Sequence, residues 1–198
     1  AKDGQLNFVG LDGHVLAWDK IDYDGEFELL IPKNTIDKLK TLGLTGEVRI
    51  RHSNAMAIFA TEDFEICTRL VQGEYYKYQN MFKELPLHTV ISRKELLDAM
   101  VRAKMCTAEK CPVKFEIAGS QLGLSIKDQT TDYHETVDLQ EDISEELTIG
   151  FDARLVIETL KAFDCDNVGI SLQGPKMPMI VEAEDSDFKT IVLPVAIK

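Results

Sequence analysis

The chain has 198 residues, enough for one large or two small domains with cores of their own. Its 44% hydrophobic content is that of a globular protein, and no apolar run reaches the ~20 residues that span a bilayer. A net charge of −12 argues against tight, phosphate-led nucleic-acid binding by the chain as a whole.

The four cysteines (Cys67, Cys106, Cys111 and Cys165) form no CxxC pair and no His-bearing zinc spacing. The expectation is free thiols in a reducing cytoplasm, with no metal and no cofactor. The start, Ala1-Lys2-Asp3-Gly4, is polar and does not read as a signal peptide. It leads at once into an apparent strand, which suggests a piece of a longer protein.

Gln5–Leu11 and His14–Lys20 alternate as strands around Asp12-Gly13, a hairpin signal. Phe27–Ile31 is a predicted strand. Pro32 opens a helix over 33–42 with Ile36, Leu39 and Leu42 on one face, and Gly43 ends it. Glu47–Arg51, Met56–Thr61 and Phe64–Val71 alternate as strands. Gly73–Pro86, rich in Tyr, reads as a connector between domains.

Leu87 begins a second strand–helix unit. Ser92 and Glu95 have the spacing of a capping box ahead of a helix over 93–104. Val113–Ile117 and Leu122–Ile126 are predicted strands around Gly119-Ser120, and Tyr133–Leu139 is another. Glu141–Glu146 reads as an acidic link. A third unit starts at Leu147, with Asp152 as N-cap of a helix over 153–161. Val168–Leu172, Met179–Ala183 and Lys189–Val195 are its later strands.

The three units share one plan, β-α-β-β-β, at a fixed period. Ile31, Ile91 and Phe151 stand sixty residues apart, as do Ile36, Leu96 and Val156. One unit cannot bury its apolar helix face alone, but two can pack helix on helix and join sheet edges. The fold class expected is therefore α+β, with helices on one face and antiparallel sheets on the other.

Charge divides along the same plan. The first helix carries Lys33, Lys38 and Lys40 against Asp37, a net +2. The second carries Arg93, Lys94, Arg102 and Lys104 against Glu95 and Asp98, again +2. The third carries Arg154 and Lys161 against Glu158, a net +1. The remainder holds −17. Helices sharing a face would make that face basic and the rest acidic. For any one helix, an ordinary solvated face explains the charge as well.

Several segments, in order along the chain, resemble the bacterial sliding clamp family, the beta subunit of DNA polymerase III. Leu11-Asp12-Gly13-His14-Val15-Leu16-Ala17 is similar to its T-D-G-H-R-L-A signature. Leu29, Ile31, Pro32 and Lys33 resemble its strand-to-helix entry, and Leu70–Tyr78 its L-[VI]-[DE]-G-x-[FY]-P-x-Y segment. Ile149-Gly150-Phe151-Asp152 with Leu160-Lys161-Ala162 matches I-G-F-N…L-x-A, and Val192-Leu193-Pro194-Val195 the closing segment.

The resemblance implies the DNA-clamp fold. Residues 1–86 would be part of the middle domain: two strands of its first unit and its complete second unit. Residues 87–198 would be the complete last domain. It implies a cytoplasmic processivity factor that encircles duplex DNA as a ring homodimer, with no enzyme activity and no membrane partner. The nine cations named above would face the DNA, held topologically and without sequence preference.

The resemblance also implies a pocket between middle and last domains for a short linear motif of polymerase, clamp loader and repair proteins. Its floor would use Leu11, Gly13, His14, Val15 and Leu16. Tyr76, Asn80 and Met81 would come from the connector, Cys111 from a loop, and Asp152 and Leu155 from the third helix start. Pro178, Ile191, Leu193, Pro194 and Val195 would complete it. Leu11, Val15, Tyr76 and Ala196 replace a usual Thr, Arg, Pro and Arg, so the pocket should be more apolar here.

A second reading is a stand-alone peptide-binding module of the same fold without a DNA role. The basic helices discriminate the two, because the module needs none. Catalysis is a distant third: Asp12-Gly13-His14 reads as a turn, and no nucleophile motif accompanies His14. His52, His88 and His134 show no ligand spacing. Tyr75, Tyr76 and Tyr78 sit among acidic residues, which favours packing over base stacking.

Overall fold

The structure, a computed structural model, describes residues 1–43, 45–106, 112–127 and 130–197. It divides into two compact units, Ala1–Gly4 with Tyr23–Met81, and Gln5–Asp22 with Phe82–Lys198.

The larger unit holds one eight-stranded antiparallel sheet. Its strands are β1 (Gln5–Leu11), β2 (Val15–Asp22), β6 (Leu87–Ser92), β7 (Val113–Lys127), β8 (Asp132–Phe151), β9 (Asn167–Leu172), β10 (Met179–Glu182) and β11 (Lys189–Val192). The order is β1-β2-β11-β10-β9-β6-β8-β7. The hairpin β1–β2, expected to belong with residues 21–86, groups here because β2 is hydrogen-bonded along β11, from Val15↔Val192 to Trp18↔Lys189.

The predicted pairing of the second and third units is visible in the ladder. β6 runs along β9 from Leu87↔Leu172 to Ser92↔Asn167, and meets β8 at Ile91↔Leu139. The last stretch of β8 runs along β7 from Ile117↔Leu147 to Val113↔Phe151. Its Gly150 carbonyl accepts the amide of Val195, just past β11, at 2.9 Å. Each unit's first strand thus pairs with the other unit's second strand and meets the last strand of its own.

Two helices pack against each other over this sheet: α2 (Arg93–Cys106) and α3 (Ala153–Ala162). α2 buries Leu96, Ala99, Met100 and Ala103, an i, i+3, i+4, i+7 stripe. α3 buries Leu155, Val156, Ile157 and Leu160. Each buried leucine contributes roughly 1.5–3 kcal/mol over its exposed state. The Phe115 and Phe151 rings meet edge-on, 5.1 Å apart, beneath them. The capping residues act as expected: Ser92 Oγ accepts the Glu95 amide at 3.3 Å, and Asp152 Oδ1 accepts the Arg154 amide at 2.8 Å.

The acidic stretch Glu141–Glu146 is not a link but the middle of β8. Likewise the two strands predicted around Gly119 are one bent strand, β7. Register shifts there take the partners of Ile117 and Gln121 from Leu147 to Asp138, so β8 carries extra residues through the bend. Thr89 Oγ1 donates to the Glu141 carbonyl at 2.8 Å and holds that stretch to β6.

The smaller unit holds α1 (Lys33–Thr41) and the antiparallel sheet β3 (Arg49–His52), β4 (Met56–Ala60) and β5 (Glu65–Arg69). Ala57 and Phe59 are buried, and buried Thr35 of α1 shares a 2.7 Å hydroxyl hydrogen bond with Thr68 of β5. Phe27–Ile31, expected as a strand, is extended but unladdered. Among the described residues its backbone bonds are those of Phe27 with Ala1 and of the Leu30 carbonyl with the Val71 amide. β6, sixty residues on, has β9 of the neighbouring unit to pair with; residues 27–31 have no such neighbour among the described residues.

Candidate functional site

Three segments of the larger unit converge around residues 193–195. The first is the hairpin turn. Asp12 Oδ1 accepts the amides of His14 at 2.9 Å and Val15 at 2.8 Å, and Gly13 takes φ +88° to close the loop. Those two amides, aided by the nearby charges of His14 and Arg154, hold the Asp12 carboxyl below the usual carboxylate range.

The second is the strand β11 and its continuation. Leu16 pairs with Ile191, Val15 with Val192, and the Leu193 amide donates to the His14 carbonyl at 2.9 Å. The third is the end of β8 and the start of α3, where Gly150 takes the Val195 amide. A Cβ on Gly150 would stand 2.7 Å from Ile197 Cγ1 and 2.8 Å from the Val195 carbonyl oxygen. Only a glycine admits the chain end so closely.

Of the expected pocket residues, Gly13, His14, Val15, Leu193, Pro194, Val195 and Asp152 thus come together in one unit. Leu193, Pro194 and Val195 are half-buried. Leu155 is buried in α3, and Pro178 immediately precedes Met179, the partner of Val192. Leu16 and Ile191 are each 1% exposed, so they support the wall rather than offer surface. Leu11 is exposed. Tyr76, Asn80 and Met81 belong to the smaller unit, the last two in a 3-10 turn at Tyr78–Met81. Cys111 lies outside the described residues.

The cations expected to face DNA differ in their freedom. Arg102 forms a two-point ion pair with Glu135, through Nε at 3.0 Å and Nη2 at 2.5 Å. Tyr133 donates to the same carboxylate, and Glu135 is held below its ordinary range chiefly by the Arg102 guanidinium. Arg93 Nε donates to the Cys165 carbonyl at 2.5 Å, and Lys33 pairs with Asp37 at 2.7 Å. Arg154 Nη2 lies 4.0 Å from Asp152 Oδ2. Lys104 is exposed in the last turn of α2. Lys38, Lys40, Lys94 and Lys161 are exposed and carry no ion pair among the described residues.

Sequence reasoning missed a concavity of the larger unit. A cavity of ≈ 420 Å³ lies between the segment Phe82–Leu85 and the sheet. His88 Nδ1 and Ser171 Oγ are 3.0 Å apart on its wall, and Lys189 pairs with Glu182 at 2.9 Å. The period-2 alternation of β6 and β9 places those side chains on one face, but their being neighbours needs the β6–β9 register. Among the described residues no group of His, Cys, Asp or Glu could hold a metal, and no helix is long and apolar enough to cross a membrane.

Residues 83–196 match the family model of the DNA polymerase III beta subunit, C-terminal domain. The chain belongs to that family. Its relatives include the beta sliding clamps of Vibrio cholerae, 27% identical, and Streptococcus pneumoniae, 26% identical, each matched over 96% of this chain. The chain spans about half the length of these relatives, 54% and 53%. Among solved structures, a putative beta subunit of Eubacterium rectale superposes with a TM-score of 0.90 at 26% identity, over 98% of this chain and 55% of that one. A Pseudomonas aeruginosa sliding clamp with a ligand gives 0.92 at 23%, over 100% and 56%. The clamp fold, with its β-α-β-β-β units, is thereby the fold of this chain.

Proposed function

We propose that this chain acts as part of a processivity clamp, a cytoplasmic ring homodimer that encircles duplex DNA and tethers replicative and repair proteins by a short peptide motif. The reading needs no catalytic group. The observation that carries it is the convergence of the hairpin turn, the 193–195 segment and the α3 start into one half-apolar wall. In covalent terms the domain boundary we propose falls at 86/87, where the sixty-residue repeat places it; the sheet runs across that boundary through β2 and β11.

Two anchored apolar side chains give micromolar binding once ordering costs are subtracted, on the order of −7 to −8 kcal/mol. The test is titration of the chain with a labelled Gln-Leu-x-Leu-Phe peptide, followed by anisotropy. Saturable binding that an unlabelled copy displaces supports the reading. Absence of binding at millimolar peptide refutes it. The exposed Lys38, Lys40, Lys94 and Lys161 support a weak, salt-sensitive hold on DNA, consistent with sliding.

A further inference from the structure

The cavity of ≈ 420 Å³ beneath Phe82–Leu85 is used by neither the peptide wall nor the basic helices. Its floor is two cross-strand rows, whose side chains share one face of the sheet. His88 pairs with Ser171 and Ser171 with Ile180; Gly169 pairs with Glu182 and Glu182 with Lys189. The bare Cα of Gly169 deepens this floor. A Cβ there would stand 3.0 Å from His88 Cε1 and 3.4 Å from Glu182 Cγ, so both side chains lean over the glycine. The roof is held at both ends. The Phe82 ring lies 5.3 Å from that of Trp18, the cross-strand partner of Lys189, and Leu87 pairs with Leu172 at the start of β6.

Charges around the cavity come in opposite pairs. On the floor Glu182 and Lys189 close on each other at 2.9 Å. On the roof Lys83 and Glu84 are exposed, opposite in sign, and in no ion pair among the described residues. His88 Nδ1 and Ser171 Oγ, 3.0 Å apart, are spent on each other. Phe82, Leu85 and buried Ile180 give the cavity an apolar side. A ligand with a net charge would find an attractive and a repulsive partner side by side on the roof. An uncharged apolar ligand would cover the two without pairing either. A zwitterion with an apolar side chain pairs with both and fills the apolar side. The volume lies in the roughly 300–1,000 Å³ range of small-molecule sites.

We propose that this cavity binds a free apolar α-amino acid, with its carboxylate at Lys83, its ammonium at Glu84 and its side chain against Phe82, Leu85 and Ile180. Ion pairs at exposed charges are weak, so the expected affinity is millimolar. This inference does not rest on the peptide-binding reading above.

The experiment follows the backbone amides of the isotope-labelled chain by NMR while L-phenylalanine is added. Saturable shifts are expected at Ser171, Ile180 and Glu182, with the amides of His14 and Leu193 unmoved. Phenylalaninamide lacks the carboxylate and N-acetylphenylalanine the ammonium; each should bind about two- to fivefold more weakly. Glycine, with both charges but no apolar side chain, should also bind more weakly. Lys83→Gln should bind phenylalanine no better than its amide, and Glu84→Gln no better than its N-acetyl derivative. Both substitutions lie at exposed positions, so both variants should melt as wild type does. Absence of saturable shifts at these amides overturns the proposal, as do shifts confined to His14 and Leu193, which would place phenylalanine on the peptide wall. Equal binding of phenylalanine and its two derivatives, or of phenylalanine by wild type and both variants, overturns it as well, because the roof charges would then select nothing.

Discussion

The carbonyl oxygen of Gly150 accepts the amide of Val195 at 2.9 Å, and the glycine's missing side chain is what lets the two backbones meet. Gly150→Ala puts a methyl 2.8 Å from the Val195 carbonyl oxygen and 2.7 Å from Ile197. Backbone cannot yield as a flexible side chain does, so the 195–197 segment should be pushed off β8. Overpacking of this kind costs about 1–3 kcal/mol. Thermal unfolding should show a loss of a few degrees, and peptide affinity should fall because the wall has moved. A variant with wild-type melting and wild-type affinity would show that the segment adapts freely.

Leu193→Asp tests the wall itself. Leu193 is half-buried, beside Pro194 and Val195, with its amide already committed to His14. In the free chain the new carboxylate can reach solvent, so stability should fall by less than about 1 kcal/mol. Under a bound peptide it is desolvated without a partner, which costs several-fold more. Peptide anisotropy should show no binding at concentrations that saturate wild type. Unchanged affinity would place the peptide elsewhere on the molecule.

The strand–helix plan was readable because apolar spacing at 3.6 and 2.0 residues is a local property. Ile91, Leu96, Phe151 and Val156 announced two units, and Asp152 and Ser92 announced their caps. What failed depended on partners. Phe27–Ile31 has strand composition but no ladder, and Glu141–Glu146 has link composition but lies in β8, tied to Thr89 fifty-two residues away. At the site, the turn chemistry of Asp12-Gly13 was legible, and so was the apolar 191–195 run. The burial of Leu16 and Ile191 was not, since it follows from the long-range pairing of β2 with β11. Helix charge counts likewise could not tell that Glu135, on a distant strand, closes over Arg102.

That pairing separates Arg102 from the lysines in what each is expected to do. Arg102→Ala breaks a two-point bond between α2 and β8 and leaves Glu135 to Tyr133 alone. It should lower the melting temperature while barely changing retention on duplex DNA at low salt. Lys94→Ala and Lys161→Ala remove exposed charges that form no ion pair among the described residues. Each should leave melting unchanged and lower the slope of log affinity against log salt by about 1 where the lysine meets a phosphate. The two readouts, calorimetry and DNA binding across a salt series, should order these variants oppositely. The same order in both would mean that Arg102 reaches DNA despite Glu135.

The Asp12 turn gives the site an acid limit. The folded carboxyl titrates below its ordinary range, because its ionised form accepts the amides of Val15 and His14. A group whose folded pKa is depressed lends stability above its unfolded pKa of about 4, and that stability disappears as pH falls through the folded value. The hairpin turn should therefore be at full strength at pH 7 and loosen in acid below about pH 4. Amide hydrogen exchange at His14 and Val15, corrected for intrinsic rates, should accelerate there before global unfolding. Asp12→Asn keeps one acceptor oxygen without the charge, so its exchange should be faster at pH 7 and lose this acid step. Asp12→Ala removes the acceptor and should cost about 1 kcal/mol at neutral pH. An acid step that persists in Asp12→Asn would assign the titration to another carboxyl.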